Sequence, residues 1–142
     1  DINEILCDTL VCYYDELEKR NIEPSIDIKK VEKIIGDKKS IVRIIENLMS
    51  NTLKYSNGNV SIELNEKDNN VNLMFMNSLE ENKKIDTNRI FDKFYKNNDK
   101  GRSGKSTGLG LCIVKTLMEK MNGTVISKQI ENRLYITCSW KI

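Results

Sequence analysis

Glu46-Asn47-Leu48-Met49-Ser50-Asn51-Thr52-Leu53-Lys54-Tyr55-Ser56 decides how this 142-residue chain is read. Ile41, Ile44 and Ile45 ahead of it, with Leu48 and Thr52 inside it, recur at helical spacing, which predicts a helix from a cap at Asp37 to Tyr55, stopped by Asn57 and Gly58. On that helix Asn47, Asn51, Lys54 and Tyr55 share one stripe, and the stripe borders the apolar face instead of lying opposite it. Polar groups are thereby put at the rim of the core, where a pocket opens. Asn51 offers a neutral oxygen to Mg2+, a hard ion that keeps waters and phosphates in its shell, and Lys54 offers a charge to phosphate. Taken alone, the same segment is equally an amphipathic helix with a solvated amide face.

A second segment breaks the tie. Ser106-Thr107-Gly108-Leu109-Gly110-Leu111 sets its glycines where a loop becomes a helix. Glycine lets backbone come close to a ligand, and the free amides of a helix N-terminus attract phosphate. A lone Gly-x-Gly is weak evidence; paired with an asparagine helix it becomes specific.

Around these two segments the apolar pattern sketches the rest. Ile5, Leu6, Leu10, Val11, Tyr14 and Leu17 predict a helix over residues 4–20, broken by Pro24, and Ser25 to Lys29 alternates as a half-buried strand. Val60, Ile62 and Leu64, then Val71, Leu73 and Phe75 across Lys67-Asp68-Asn69-Asn70, predict a hairpin. A short helix is expected over 87–95, a polar mobile loop over 96–107, a helix from Leu109 to Met121 ended by Asn122-Gly123, and strands at 125–129 and 134–140. The order αβαββαα(ββ) describes an α/β two-layer sandwich: a mixed, mostly antiparallel sheet covered on one face by helices.

Composition limits what such a domain does. The length suits one domain, and 39% apolar with 31% charged residues is a globular balance. A net charge of +2 gives no dominant field for nucleic acid or lipid headgroups. Cys7, Cys12, Cys112 and Cys138 form no CxxC pair and read as reduced, mostly buried thiols of a cytoplasmic protein. The absence of any histidine excludes His-based acid–base catalysis and His-ligated metals within the chain, so an imidazole in the chemistry comes from elsewhere. No apolar run reaches the roughly 18 residues of a membrane helix, so the chain itself is expected to be soluble. Opening at Asp1 without a Met, it looks like an excised piece of something longer.

The chain resembles the catalytic and ATP-binding domain of bacterial sensor histidine kinases, in the GHKL superfamily with the Bergerat fold. Residues 46–56 resemble the N box, Ile90-Phe91-Asp92-Lys93-Phe94-Tyr95 the F box, and Gly108-Leu109-Gly110-Leu111 with Ile113-Val114-Lys115 the second glycine box. The resemblance spans residues 1–142 and implies ATP and Mg2+, with Asn51 helped by Asn47 on the metal, Lys54 on phosphate and Tyr55 against the nucleotide. It further implies that Thr107, Gly108, Leu109, Gly110 and Leu111 bind nucleotide. Phe91 and Phe94 would anchor a lid, residues 96–107 would close over the triphosphate, and Arg102 would touch phosphate. The parent protein is then expected to be a membrane-bound homodimer, its partners being its own dimerisation and phosphoacceptor domain and a response regulator, with no nucleic acid. The fragment itself is expected to be monomeric.

One box departs from the family pattern. Where Asp-x-Gly-x-Gly is usual, the chain has Asn77-Ser78-Leu79-Glu80-Glu81, so both glycines and the adenine-binding carboxylate are missing. An Asn77 oxygen still accepts the adenine amine, as a neutral and weaker acceptor, and Ile85 could replace the apolar residue that usually follows. Hydrolytic relatives carry a glutamate one turn before the Mg2+ asparagine; here that position is Asn47, and an amide is no general base. Glu46 points about 100° away on the wheel. The competing readings are a degenerate non-catalytic domain of the same fold, an anti-sigma-type serine kinase and a hydrolytic ATPase. The bland reading of the basic residues Lys96, Lys100, Arg102 and Lys105 is a solvated loop; Met74, Met76, Met118 and Met121 read as core filler, Trp140 as sheet packing and Tyr13-Tyr14 as helix packing.

Overall fold

The computed structural model describes residues 1–93, 95 and 109–142. It has helices α1 (Ile2–Val11), α2 (Tyr14–Lys19), α3 (Lys38–Tyr55) and α4 (Gly110–Lys120), and strands β1 (Ser25–Ile28), β2 (Val60–Lys67), β3 (Asn70–Ser78), β4 (Thr124–Ile130) and β5 (Arg133–Lys141). The strands form one sheet in the order β1-β2-β3-β5-β4. Only β1 runs parallel to its neighbour β2, and the other pairings are antiparallel.

Alternation along the strands decides which face is covered. Val60, Ile62 and Leu64 on β2, Val71, Leu73 and Phe75 on β3, and Leu134, Ile136, Cys138 and Trp140 on β5 are all buried. Register lines them up in rows, Ile62 beside Phe75 beside Ile136, and Leu64 beside Leu73 beside Cys138. Helix α3 lays Ile41, Ile44, Ile45, Leu48, Met49, Thr52 and Leu53 into the same core, and α4 adds Leu111, Val114 and Met118. The two-layer sandwich is therefore a period-2 surface closed by period-3.6 stripes.

Local chemistry sets the boundaries. Asp37 caps α3 by accepting from the Ser40 amide at 3.0 Å. The β2–β3 turn holds Asp68 and Asn69 at φ 54° and 59°, the left-handed pair that a two-residue hairpin turn demands and that these side chains tolerate. After α4 it is Asn122, at φ 57°, that takes the left-handed turn. Gly123 answers a different need: a Cβ there would stand 2.6 Å from Met118 Cε and 2.8 Å from the Ser139 carbonyl oxygen.

Three expectations need correcting. The helix expected over 4–20 is two helices, and no Pro or Gly marks the break. Cys12 and Tyr13 donate three residues back, to Thr9 and Leu10, which tightens and ends α1. Tyr13 is then half-buried against the core, which raises the pKa of its hydroxyl, while Tyr14 lies exposed. Residues 87–93 form successive turns, with Arg89 bonded to Asp86, Asp92 to Arg89 and Tyr95 to Asp92, instead of a helix. All four cysteines are free as expected, but only Cys138 is buried, and burial pushes its thiol up to about 12. No helix among the described residues is long and apolar enough to cross a membrane.

Candidate active site

The site grows from the rim of α3. Asn47, Asn51, Lys54 and Tyr55 are all half-buried, between the fully buried stripe and the exposed face, as their helical spacing requires. Asn47 donates its amide to the Arg43 carbonyl at 2.9 Å, which leaves Oδ1 turned towards α4. There it lies 3.3 Å from where a Cβ on Gly110 would stand. The asparagine helix and the glycine-opened helix therefore face each other at touching distance, and a Cβ at Gly110 would press on Asn47 by a few tenths of an ångström.

One turn further along, the Asn51 amide nitrogen is buried and has no hydrogen-bond partner. Burying a donor without a partner costs about 1–3 kcal/mol, which makes this amide a candidate for a ligand contact. Helix α4 opens in a matching way: Leu109 is its N-cap, and no side chain caps it. Its first amides have no intrahelical acceptor and stand at the positive end of the helix dipole. Among the described residues no cluster of three or more His, Cys, Asp or Glu side chains could hold a metal. A metal at this rim would take amide oxygens plus ligand phosphates and water, a shell that suits Mg2+.

At the far end of α3, Lys54 Nζ lies 4.8 Å from the centre of the Tyr55 ring, and Lys83 Nζ lies 5.6 Å from the same centre. Burial, and secondarily the neighbouring Lys83 charge, lower the Lys54 pKa below its usual 10.5. The chain leaving α3 is stitched to the end of β3: Asn57 donates to the Ser78 carbonyl and Ser78 donates to the Asn59 carbonyl, both at 2.9 Å. Beside Ser78, Asn77 lies buried on the helix-facing side of β3 at 2% exposure, its amide donating to the Ser78 carbonyl at 3.3 Å. Ile85 is buried, and its amide donates to Gln129 Oε1 at 2.8 Å. Phe91 packs against the core and Ile90 is part of it.

Of the residues expected from sequence, the structure brings Asn47 to Gly110 and Lys54 to Tyr55, and ties the turn after Tyr55 to the strand end that carries Asn77. Leu109 and Leu111 belong to the same α4 start, one half-buried and the other buried. Arg102, Thr107 and Gly108, together with Phe94 and the loop 96–107, lie outside the described residues. Glu46 is exposed, and its charge is felt by Tyr13, about 100° around α3 from the Asn47 side chain that meets Gly110. Two residues escaped the sequence reading, Lys83 and Gln129. Gln129 carried a signal, a polar side chain at an inward position of an alternating strand; Lys83 carried none.

The chain belongs to the histidine kinase-, DNA gyrase B-, and HSP90-like ATPase family, whose profile matches residues 36–138. Among its curated relatives, the sensor histidine kinase WalK of Bacillus subtilis is 35% identical over 106 residues, covering 68% of this chain and 17% of WalK. The sensor histidine kinase YcbM of the same species is 25% identical over 128 residues, covering 87% of this chain and 41% of YcbM. The chain thus spans less than half of either relative. The solved catalytic domain of the histidine kinase ThkA superposes with a TM-score of 0.83 at 20% identity, covering 99% of this chain and 94% of that one, which shows the shared fold.

Proposed function

We propose that residues 1–142 are the ATP-binding catalytic domain of a two-component sensor histidine kinase, with 96–107 as its lid. The observation that carries this reading is the contact between Asn47 and Gly110, because it joins an oxygen-bearing helix rim to an uncapped helix start. A ligand that takes both amide oxygens and helix-start NH groups suits this pairing, and a triphosphate with its metal is such a ligand. Asn51 and Asn47 would hold Mg2+, which when bound offsets phosphate charge. Lys54 adds a cation to phosphate, the α4 amides and the residues Thr107, Gly108, Leu109, Gly110 and Leu111 cradle it, Arg102 reaches it from the lid, and Tyr55, Asn77 and Ile85 face the base.

Among the described residues of this rim none is placed as a base that activates water. Asn47 occupies the position a general base would need, and Glu46 faces Tyr13. The γ-phosphoryl therefore waits for an imported nucleophile, and the chain has no histidine of its own. An imidazole nitrogen on a separate dimerisation domain bonds to the γ-phosphorus as the bond to the β–γ bridging oxygen breaks, and ADP leaves. In this reading the parent is a membrane-bound homodimer, this domain lies on its cytoplasmic side, and a response regulator receives the phosphoryl group. ATP positioning and charge neutralisation supply most of the catalysis.

The test mixes this chain with its own dimerisation domain and labelled ATP. Acid-labile label on the partner, lost in Asn51→Ala, is expected; acid-stable label points instead to a serine kinase. Mg2+ with a non-hydrolysable ATP analogue at 100 times its dissociation constant should add about 2.7 kcal/mol, raising the melting temperature by roughly 10 °C. No shift at millimolar analogue would leave a degenerate domain, the reading favoured by the loss of the first glycine box.

A further inference from the structure

The sheet ends in two edges, β1 and β4, and they are finished differently. At β4, Ser127 donates to the Thr87 carbonyl at 3.0 Å, and Gln129 is a brace, donating to the Lys83 carbonyl at 2.7 Å and accepting from the Ile85 amide at 2.8 Å. Residues 83–87 are thereby fastened to that strand. At β1 only one end is closed: Asn3 on α1 donates to the Lys29 carbonyl at 2.8 Å and accepts from the Val31 amide at 3.0 Å. The rest of the edge is open. The Lys29 amide donates to the Leu64 carbonyl on β2 at 2.9 Å, so by strand alternation Ser25 and Asp27 also turn their backbone to β2, while Ile26 and Ile28 turn theirs away. The backbone groups of Ile26 and Ile28 have no hydrogen bond to any described residue. Unpaired edge groups are a template for another strand.

The side chains of Ile26 and Ile28 line a cavity of about 760 Å3 between β1 and the α1–α2 pair. Val11, Tyr14 and Ile26, which line it too, are exposed by 73%, 66% and 49%, a cluster of large apolar side chains left in water beside a bare strand. The charged residues of the lining are Glu18 and Glu23, with no Lys or Arg among them. Neither glutamate has an ion-pair partner among the described residues, and Asp27 is exposed on the same strand. We propose that this edge is a docking site for an extended segment of a partner protein, apolar at alternate positions and carrying Lys or Arg. Its backbone pairs with Ile26 and Ile28 as an added strand, its apolar side chains enter the cavity, and its cations meet Glu18 and Glu23. A second copy of this chain fits less well, since it brings the same acids to the edge. The site is separate from the nucleotide rim and does not depend on the ATP reading.

Binding of short labelled peptides to the 142-residue chain, read by fluorescence anisotropy, tests it. A peptide in which Val alternates with Lys should bind about ten-fold tighter than one in which Val alternates with Glu. N-methylating the amides of the Val–Lys peptide removes its strand donors and should weaken it about ten-fold. Ile26→Pro removes an outward donor of β1 without touching a bond to β2, and should weaken the same peptide about five-fold while the chain still melts cooperatively. Glu18→Lys combined with Glu23→Lys, both at exposed positions, should reverse the preference in favour of the Val–Glu peptide. A wild-type chain that binds neither peptide, or both alike, overturns the proposal. So does Val–Lys binding that survives N-methylation or Ile26→Pro, because attraction to charge alone would then explain it. A chain that dimerises, and stops doing so in Ile26→Pro, overturns it in favour of a second copy as the occupant.

Discussion

The two ends of α3 build opposite kinds of site wall. At Asn47 the wall exists because a side chain is missing: Gly110 has no Cβ, and α4 comes in until the amide oxygen fills the gap. At Tyr55 it exists because side chains were added, with Lys54 and Lys83 crowding one ring and Gln129 holding the loop that delivers the second of them. The first end is a close approach of two helices, and the second gathers two cations on one aromatic ring. A family pattern written in glycines reads the first kind well and the second poorly.

The largest expected effect separates a glycine of the site from a glycine of the fold. Gly123→Ala places a methyl group against Met118 and the fixed Ser139 carbonyl, and should lower unfolding free energy by about 2–3 kcal/mol in urea titrations. Nucleotide affinity of the fraction that remains folded should be little changed. Gly110→Val should do the reverse, lowering analogue affinity about ten-fold or more by pushing Asn47, with a smaller change in stability. If the two variants lose the same property, the contrast between them is wrong. Next, Asn77→Asp returns the charged adenine acceptor and should tighten binding about five-fold at pH 8, measured by calorimetry. Tightening should fade at lower pH, because burial raises the pKa of a carboxylate placed there.

The smallest effect concerns Lys54. Burial and Lys83 depress its pKa in the folded state, so between that lowered value and 10.5 the unfolded chain holds more protons than the folded one. Stability of the unliganded chain should therefore rise with pH through that window, while analogue affinity falls as the ammonium is lost. Lys54→Met should flatten both trends, and melting and binding series from pH 8 to 10.5 would show it.

Much of the fold was legible because its signals are periodic. The α3 stripe, the β2–β3 alternation and the Asp37 cap each follow from residues within one element, and so does the rim position of the two asparagines. What was missed depends on contacts distant in sequence. The α1–α2 break has no local breaker; Cys12 and Tyr13 donate three residues back as Tyr13 packs against the core. A helix was expected over 87–95, but bonds made three residues back and the Asp86 amide donated to the Tyr95 hydroxyl at 3.3 Å give turns over 87–93 instead. Lys83 could not be singled out from Lys84 by any pattern, since only the Gln129 brace tells them apart. Gly123 was read as a helix stop, while its real constraint lies in the neighbouring strand.

The exposed flank of α3 has its own consequence. If the amide at Asn47 leaves this rim without a base, as proposed above, the anhydride of a bound nucleotide would survive intact between signals, and idling would be chemically silent. Throughput would then be governed by how often an acceptor is presented, and a cell would hold many such domains charged at rest without draining its energy supply.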